Sequence, residues 1–316
     1  MQNQMQTKTS VQSKKKYAVT CDHLHFSYSF KPILQDVNLA IPQGAVVGLI
    51  GANGCGKSTL LRCLVGLHIP QQGQVHLFDT PALEMNDSVR ERLGFVAQSA
   101  DLFPWLTVEK HIKMIGQAYP KWRERRALEL ALRLRLPMGR EVSQLSGGDQ
   151  QKLAVVLALA HQPDLIILDE PVSSLDPITR RDFMRSLFQD ERPFFTESVD
   201  EENDSNTDYT PTILISSHLL SDLERVVSHV AFMRDGRIQL FEEWDAVLEF
   251  VRILPKSQFS LPTVLCIADN KEQMIVDIRS LKNNLAKNTS LARHIEDIIA
   301  APCINGLDDI FIALNT

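Results

Sequence analysis

The chain has 316 residues, 44% of them hydrophobic, and a formal net charge of -6. That is enough apolar content for a large core, and a mildly acidic balance argues against the basic face that non-specific nucleic-acid binding needs. Five cysteines (Cys21, Cys55, Cys63, Cys266 and Cys303) include no C-x-x-C pair, which argues against a disulfide framework or a zinc site and for a reducing compartment.

In chain order, residues 1–16 are rich in Gln, Ser, Thr and Lys without an apolar centre, the composition of a disordered tail rather than a signal peptide. Residues 18–28 and 33–41 read as strands, with a turn at Pro42-Gln43-Gly44. The apolar run 45–50 runs into a glycine-rich loop. Residues 57–67 then carry Leu60, Leu61, Leu64 and Leu67 at helical spacing. Residues 74–78 and 93–96 are further strands. Between 99 and 160 the period becomes helical, and residues 122–136 are the clearest case, with few β-branched residues. We expect an α-helical subdomain there. Its arginines (Arg123, Arg125, Arg126, Arg133, Arg135) read as a solvated helix face. Residues 164–168 and 212–216 suit strands buried on both faces, and 219–227 reads as a helix. The acidic stretch at about 190–210 reads as a surface loop insertion. Residues 17–250 thus form one α/β domain, and 251–316 is an extension without a chemical motif. No run approaches the ~18 apolar residues of a membrane span, so any spans come from another chain.

Gly51-Ala52-Asn53-Gly54-Cys55-Gly56-Lys57-Ser58-Thr59 contains the pattern G-x-x-x-x-G-K-[ST]. Glycines let successive amides converge on phosphate oxygens, and the following helix points its positive end at the same anion. Lys57 adds a full charge, and the Ser58 hydroxyl can ligate Mg²⁺. Leu165-Ile166-Ile167-Leu168-Asp169-Glu170 places two acids at the carboxyl edge of a buried strand, where open α/β sheets bind ligands. Asp169 can hold Mg²⁺, and Glu170 can take a proton from, or polarise, an attacking water. Together these specify a P-loop NTPase.

Ser146-Gly147-Gly148-Asp149-Gln150 opens a second apolar helix with an anion-binding start. With it, the chain resembles the ATP-binding-cassette family, whose signature motif this is. The resemblance implies a P-loop NTPase core with a parallel sheet, an N-terminal antiparallel β subdomain and an inserted α-helical subdomain. It implies that Ser146, Gly147 and Gly148 meet the γ-phosphate held by the loop of a second copy, with ATP and Mg²⁺ between two subunits, as a homodimer or a heterodimer. Tyr28 is similar to the aromatic that stacks on adenine, and Gln98 to the glutamine that reaches Mg²⁺ and the water. Ser174-Leu175-Asp176 is similar to the loop that crosses the dimer interface, and His218 to the switch histidine. The signature carries Asp149 where Gln is commoner, and Val172 stands where Thr is usual. Neither touches the inferred chemistry.

The resemblance implies an ATPase that drives a separate transmembrane permease subunit at the cytoplasmic face of a membrane. The region after Gln98, near Phe103, Pro104 and Trp105, would accept a cytoplasmic helix of that partner. Tyr119-Pro120-Lys121-Trp122 and the segment 307–314 resemble export-type relatives. The rival reading is a soluble cassette ATPase acting on ribosomes or DNA. One cassette, no heptad run and no cysteine cluster speak against it.

Overall fold

The computed structural model describes residues 16–188, 209–218, 220–259, 261, 266–284 and 296–315. The expected tail lies outside these residues except for Lys16, and the acidic insertion except for Tyr209 and Thr210.

Strands β1 (Tyr17–Tyr28) and β2 (Lys31–Pro42) form a long antiparallel hairpin. Strand β3 (Val46–Ile50) leaves this layer for the core sheet. It feeds the glycine loop and helix α1 (Lys57–Leu64). The expected helix to Leu67 stops three residues early. Gly66 turns the chain at φ 72°, and Leu67 is left 62% exposed. Helical spacing at Leu67 is therefore accidental. Strands β4 (Gln72–Leu77) and β5 (Thr80–Pro81) complete an antiparallel sheet of order β2-β1-β4-β5.

After the short helix α2 (Asp87–Arg90), the core sheet continues with β6 (Leu93–Val96), β7 (Leu165–Asp169), β8 (Thr212–Ser217), β9 (His229–Arg234) and β10 (Arg237–Glu243). Its order is β10-β9-β3-β8-β7-β6, parallel throughout except for β10. Every residue of β7 and β8 is buried. Alternation decides which face each serves. Ile166, Leu168, Ile213 and Ile215 enter one core, whereas Leu165, Ile167 and Leu214 enter the other with Leu60, Leu61 and Leu64 of α1. A strand covered on both sides has no polar face to show, which is why these runs are continuously aliphatic.

Between β6 and β7 lie α3 (Val108–Gly116), α4 (Glu124–Arg133) and α5 (Gly147–Leu159). Helix α5 begins over the helical region and ends against β6, close enough that a Cβ on Gly94 would sit 2.5 Å from the Ala158 carbonyl oxygen. Of the five arginines expected on a solvated face, Arg126 departs. It is buried at 5% exposure, and its Nε donates to the Leu159 carbonyl at 3.4 Å. A cation in the α4–α5 seam needs that oxygen. The other four are exposed.

Helix α6 (Pro177–Phe188) follows β7, and the short α7 (Leu220–Leu223) follows β8. The latter falls short of the expected 219–227. Beyond α8 (Trp244–Phe250) come β11 (Val251–Pro255), β12 (Cys266–Asp269) and β13 (Gln273–Asp277), an antiparallel sheet of order β11-β13-β12, and α9 (Ile278–Asn284). This sheet has its own small core around Leu254, Met274, Val276 and Leu281. The last helix, Leu307–Asn315, inserts Leu307, Ile310, Ala313 and Leu314 into the main core beside Val230 and Phe232.

Candidate functional site

Four strands deliver the expected residues to one edge. Because β3, β8, β7 and β6 run parallel, their carboxyl ends coincide. Ile50 pairs with Ser217, Asp169 with Ser216, and Val96 with Leu168. The glycine loop after Ile50, the acids ending β7, His218 after β8 and Gln98 after β6 therefore converge without any long side chain having to reach. This is the crevice outside the carboxyl ends of strands where α/β sheets take ligands.

The loop itself needs its glycines. Gly54 and Gly56 hold φ of 81° and 112°, a region costly for residues with a Cβ. Gly56 also has Met233 packed against it, and a Cβ there would lie 2.9 Å from its terminal methyl. Lys57, 6% exposed, donates from Nζ to the carbonyls of Gly51 (2.7 Å) and Ala52 (3.3 Å) and lies 3.8 Å from Glu170 Oε1. The loop and helix α1 border a cavity of about 580 Å³. Asn53, Gly54, Gly56, Lys57, Ser58, Thr59, Gln98, Glu170 and His218 all line it, as expected from sequence.

Across the cavity the acids form a buried network. Asp169 is 1% exposed and Glu170 5%. The Ser216 hydroxyl donates to Asp169 Oδ1 at 2.7 Å, and His218 Nδ1 lies 2.7 Å from Glu170 Oε2. Since a carboxylate only accepts, the histidine carries its proton on Nδ1 in this pairing. Asp169 Oδ2 is buried with no hydrogen-bond partner. An orphaned carboxylate oxygen is costly unless a cation or donor meets it. Asp169 Oδ2, the Ser58 hydroxyl and the Gln98 amide oxygen are donors of the kind a hard cation such as Mg²⁺ takes, and Ser58 and Gln98 line the cavity.

Gly51, Ala52, Cys55 and Asp169 lie behind the lining rather than in it, and two further expected contributors do not line the cavity. Tyr28 does not line it. Its hydroxyl pairs with His68 Nε2 at 2.9 Å and its ring meets Phe26 edge-on at 4.9 Å. It nevertheless stands directly opposite Lys31 in the β1–β2 register, and Lys31 does line the cavity. Opposed residues of an antiparallel pair share a face, so Tyr28 and Lys31 lie on the same face of the hairpin. The signature residues Ser146, Gly147 and Gly148 are likewise absent from its lining. Ser146 caps α5, accepting from the Asp149 amide at 3.1 Å while donating to Asp149 Oδ2 at 2.9 Å. Asp149, the departure from the commoner Gln, thus takes the proton of the capping hydroxyl itself, and Lys152 Nζ donates to its other oxygen at 3.1 Å. Gly148 packs on Ser174 and Leu175.

Sequence reasoning missed Lys31, Ile33 and Ser173, which line the cavity, and Ser216, which braces the acids. Ser216 alone had a local signal, a polar residue where the buried aliphatic run of β8 ends.

Comparison with known proteins decides the family. A profile described as ABC transporter matches residues 34–173. The protein named ABC transporter ATP-binding protein YtrB, from Bacillus subtilis (strain 168), is 30% identical over 217 residues, covering 69% of each chain. This chain belongs to the ABC transporter family, as an ATP-binding subunit.

Within the family, the methionine import ATP-binding protein MetN of Protochlamydia amoebophila (strain UWE25) is 29% identical, over 90% of this chain and 82% of that protein. Among solved structures, an ATP-binding subunit of an ABC transporter superposes with a TM-score of 0.61 at 25% identity, over 73% of this chain and 91% of that one. A dimeric ATP-binding cassette in a post-hydrolysis state with ADP and phosphate does so at 0.58 and 26%, over 71% and 98%. The cassette fold and the ATPase activity expected from sequence are those of the family. Its members include proteins named for import and others, such as the bacitracin transport protein BcrA of Enterococcus faecalis, named only for transport.

Proposed function

We propose that the chain hydrolyses ATP between two subunits and passes the resulting motion to a transmembrane partner that exports a substrate. The observation that carries this reading is the division of the site: loop residues, Lys57, Glu170 and His218 line one cavity, with Asp169 at the same sheet edge, while Ser146, Gly147 and Gly148 do not line it. A second phosphate-binding helix start that is useless to its own cavity is suited to that of a second copy. The dimeric structural relative supports the arrangement.

In this reading Tyr28 stacks on adenine, and residues 51–59 wrap the phosphates with backbone amides and the Lys57 charge. Ser58, Gln98 and Asp169 would hold Mg²⁺; bound there, it neutralises charge on the β- and γ-phosphate oxygens. Glu170, held by His218 through the 2.7 Å contact, accepts a proton from the attacking water. The chemistry is mainly positioning and charge neutralisation. ATP favours the closed pair, and hydrolysis removes that preference.

A groove of about 660 Å³ between the core and the helical region would seat a cytoplasmic helix of the permease. Phe103 lines it, and Trp105 stands 67% exposed beside Phe103. Tyr119, from the Tyr-Pro-Lys-Trp segment that resembles export-type relatives, also lines it. Among the described residues no helix is long and apolar enough to cross a membrane. That fits a chain working at the cytoplasmic face through such a partner. Import is the second reading, favoured by the match to MetN along nearly the whole chain. ATP-driven accumulation in inside-out vesicles supports export; substrate uptake in the opposite sense supports import.

Glu170→Gln tests the catalytic assignment. Turnover should fall by about 10²–10⁴-fold, while ATP binding persists and ATP-dependent dimers accumulate on size exclusion. Full turnover in that variant would remove Glu170 from the mechanism.

A further inference from the structure

We propose that Ser216 is a positioning residue that sets both acids of the site through one hydroxyl group. The inference rests on the roles assigned above to Asp169 and Glu170. Strand β8 lies between β3 and β7, and its Ser216 is the register partner of Asp169. Its side chain is completely buried. The hydroxyl has one proton, and that proton is committed: Asp169 Oδ1, at 2.7 Å, can only accept it. The oxygen is then free to accept, and the Glu170 amide donates to it at 3.0 Å and to the Ser216 carbonyl at 3.2 Å.

Both bonds have work to do. Glu170 adopts φ 49°, the left-handed region that a residue with a Cβ enters only when its surroundings hold it there. The forked bond from its amide to Ser216 supplies that hold at the first residue after the strand. It thereby aims the carboxylate at His218 and Lys57. The other bond occupies Oδ1 of Asp169 and leaves Oδ2 as the oxygen with no protein partner. Ser216 therefore selects which oxygen of Asp169 is offered to a cation, and fixes where Glu170 begins. Alanine would keep the strand and the carbonyl bond but free Asp169 to rotate and loosen the Glu170 backbone.

The test compares Ser216→Ala and Ser216→Thr with the unaltered chain. Mn²⁺ affinity is read by electron paramagnetic resonance in the presence of a non-hydrolysable ATP analogue, alongside kcat and the KM for ATP at saturating Mg²⁺. Ser216→Ala should weaken Mn²⁺ binding and lower kcat by about 10-fold each, the range for groups that orient metal ligands. KM should stay within about twofold, and the thermal melt should show the variant folded. Ser216→Thr, which keeps the hydroxyl, should recover most of both losses. Wild-type Mn²⁺ affinity and kcat in Ser216→Ala would overturn the inference, as would a folded Ser216→Thr no better than alanine. Should threonine not be accommodated, the Mn²⁺ affinity of Ser216→Ala decides alone. Asp169→Asn and Glu170→Gln, run in parallel, separate two failures. If neither changes metal affinity or turnover, the site assignment itself falls. If they do and Ser216→Ala does not, only the role of Ser216 falls.

Discussion

At Gly148 the difference between glycine and alanine is a collision. An added Cβ would lie 2.9 Å from Leu175 Cδ2 and 3.2 Å from the Ser174 carbonyl oxygen. The leucine can shift; the carbonyl belongs to the backbone of the loop before α6. Gly148→Ala should therefore cost about 1–3 kcal/mol through overpacking, lowering the melting temperature. It should also weaken ATP-dependent pairing more than ATP binding, measured by size exclusion against nucleotide titration. Cys55 shows the same dependence on surroundings. Its place in the phosphate loop suggests reactivity, but burial pushes its thiol up despite the neighbouring Lys57 charge. At neutral pH it is a poor nucleophile.

Among the elements, the seam between β6, α3 and α5 carries two buried histidines. His161 stacks on Tyr119 with centroids 4.3 Å apart, and its Nε2 pairs with the Leu93 carbonyl at 3.2 Å. His111 lies beneath Phe103. Burial pushes both below the ordinary histidine value, although hydrogen bonds to the Leu93 and Leu157 backbone work the other way at His161. The folded state thus binds fewer protons than the unfolded chain as pH drops below about 6.5. Stability is fully present above that value and is lost as pH falls toward the folded pKa values. The melting temperature should fall between pH 7.5 and 5.5. His161→Gln, which cannot titrate, should flatten that slope while lowering the plateau by about 1 kcal/mol.

Across the whole molecule, polar bonds tie the C-terminal sheet and last helix to the cassette and to each other. Arg234, at the end of β9, donates from Nη1 to the carbonyls of Leu314 (2.8 Å) and Asp269 (3.3 Å). Asn270 Nδ2 donates to Ala313 at 2.7 Å. The Ala313 and Leu314 carbonyls lie in the final turn of the last helix, where helical carbonyls have no partner within the helix. Arg234→Ala should cost about 1–3 kcal/mol locally. Amide exchange in residues 307–315 should quicken, with ATP affinity unchanged.

How much of this was legible follows from where each signal is written. The phosphate loop, the Asp169-Glu170 pair and the Ser-Gly-Gly helix start are local. Each is a backbone turn or strand end whose chemistry is complete within a few residues, so their spacing alone pointed to the family. The aliphatic runs of β7 and β8 were equally plain, because a strand buried on both faces leaves no choice of residue. Periodicity failed where tertiary context overrode it: Gly66 ended α1 before Leu67, and Arg126 turned inward to reach a carbonyl on α5. Only the fold could reveal that Ser216 braces two acids from a neighbouring strand. Only the fold could set Tyr28 opposite Lys31, a residue of the cavity lining. Those relations join residues far apart in sequence, and no pattern along one strand records which strand lies next to it.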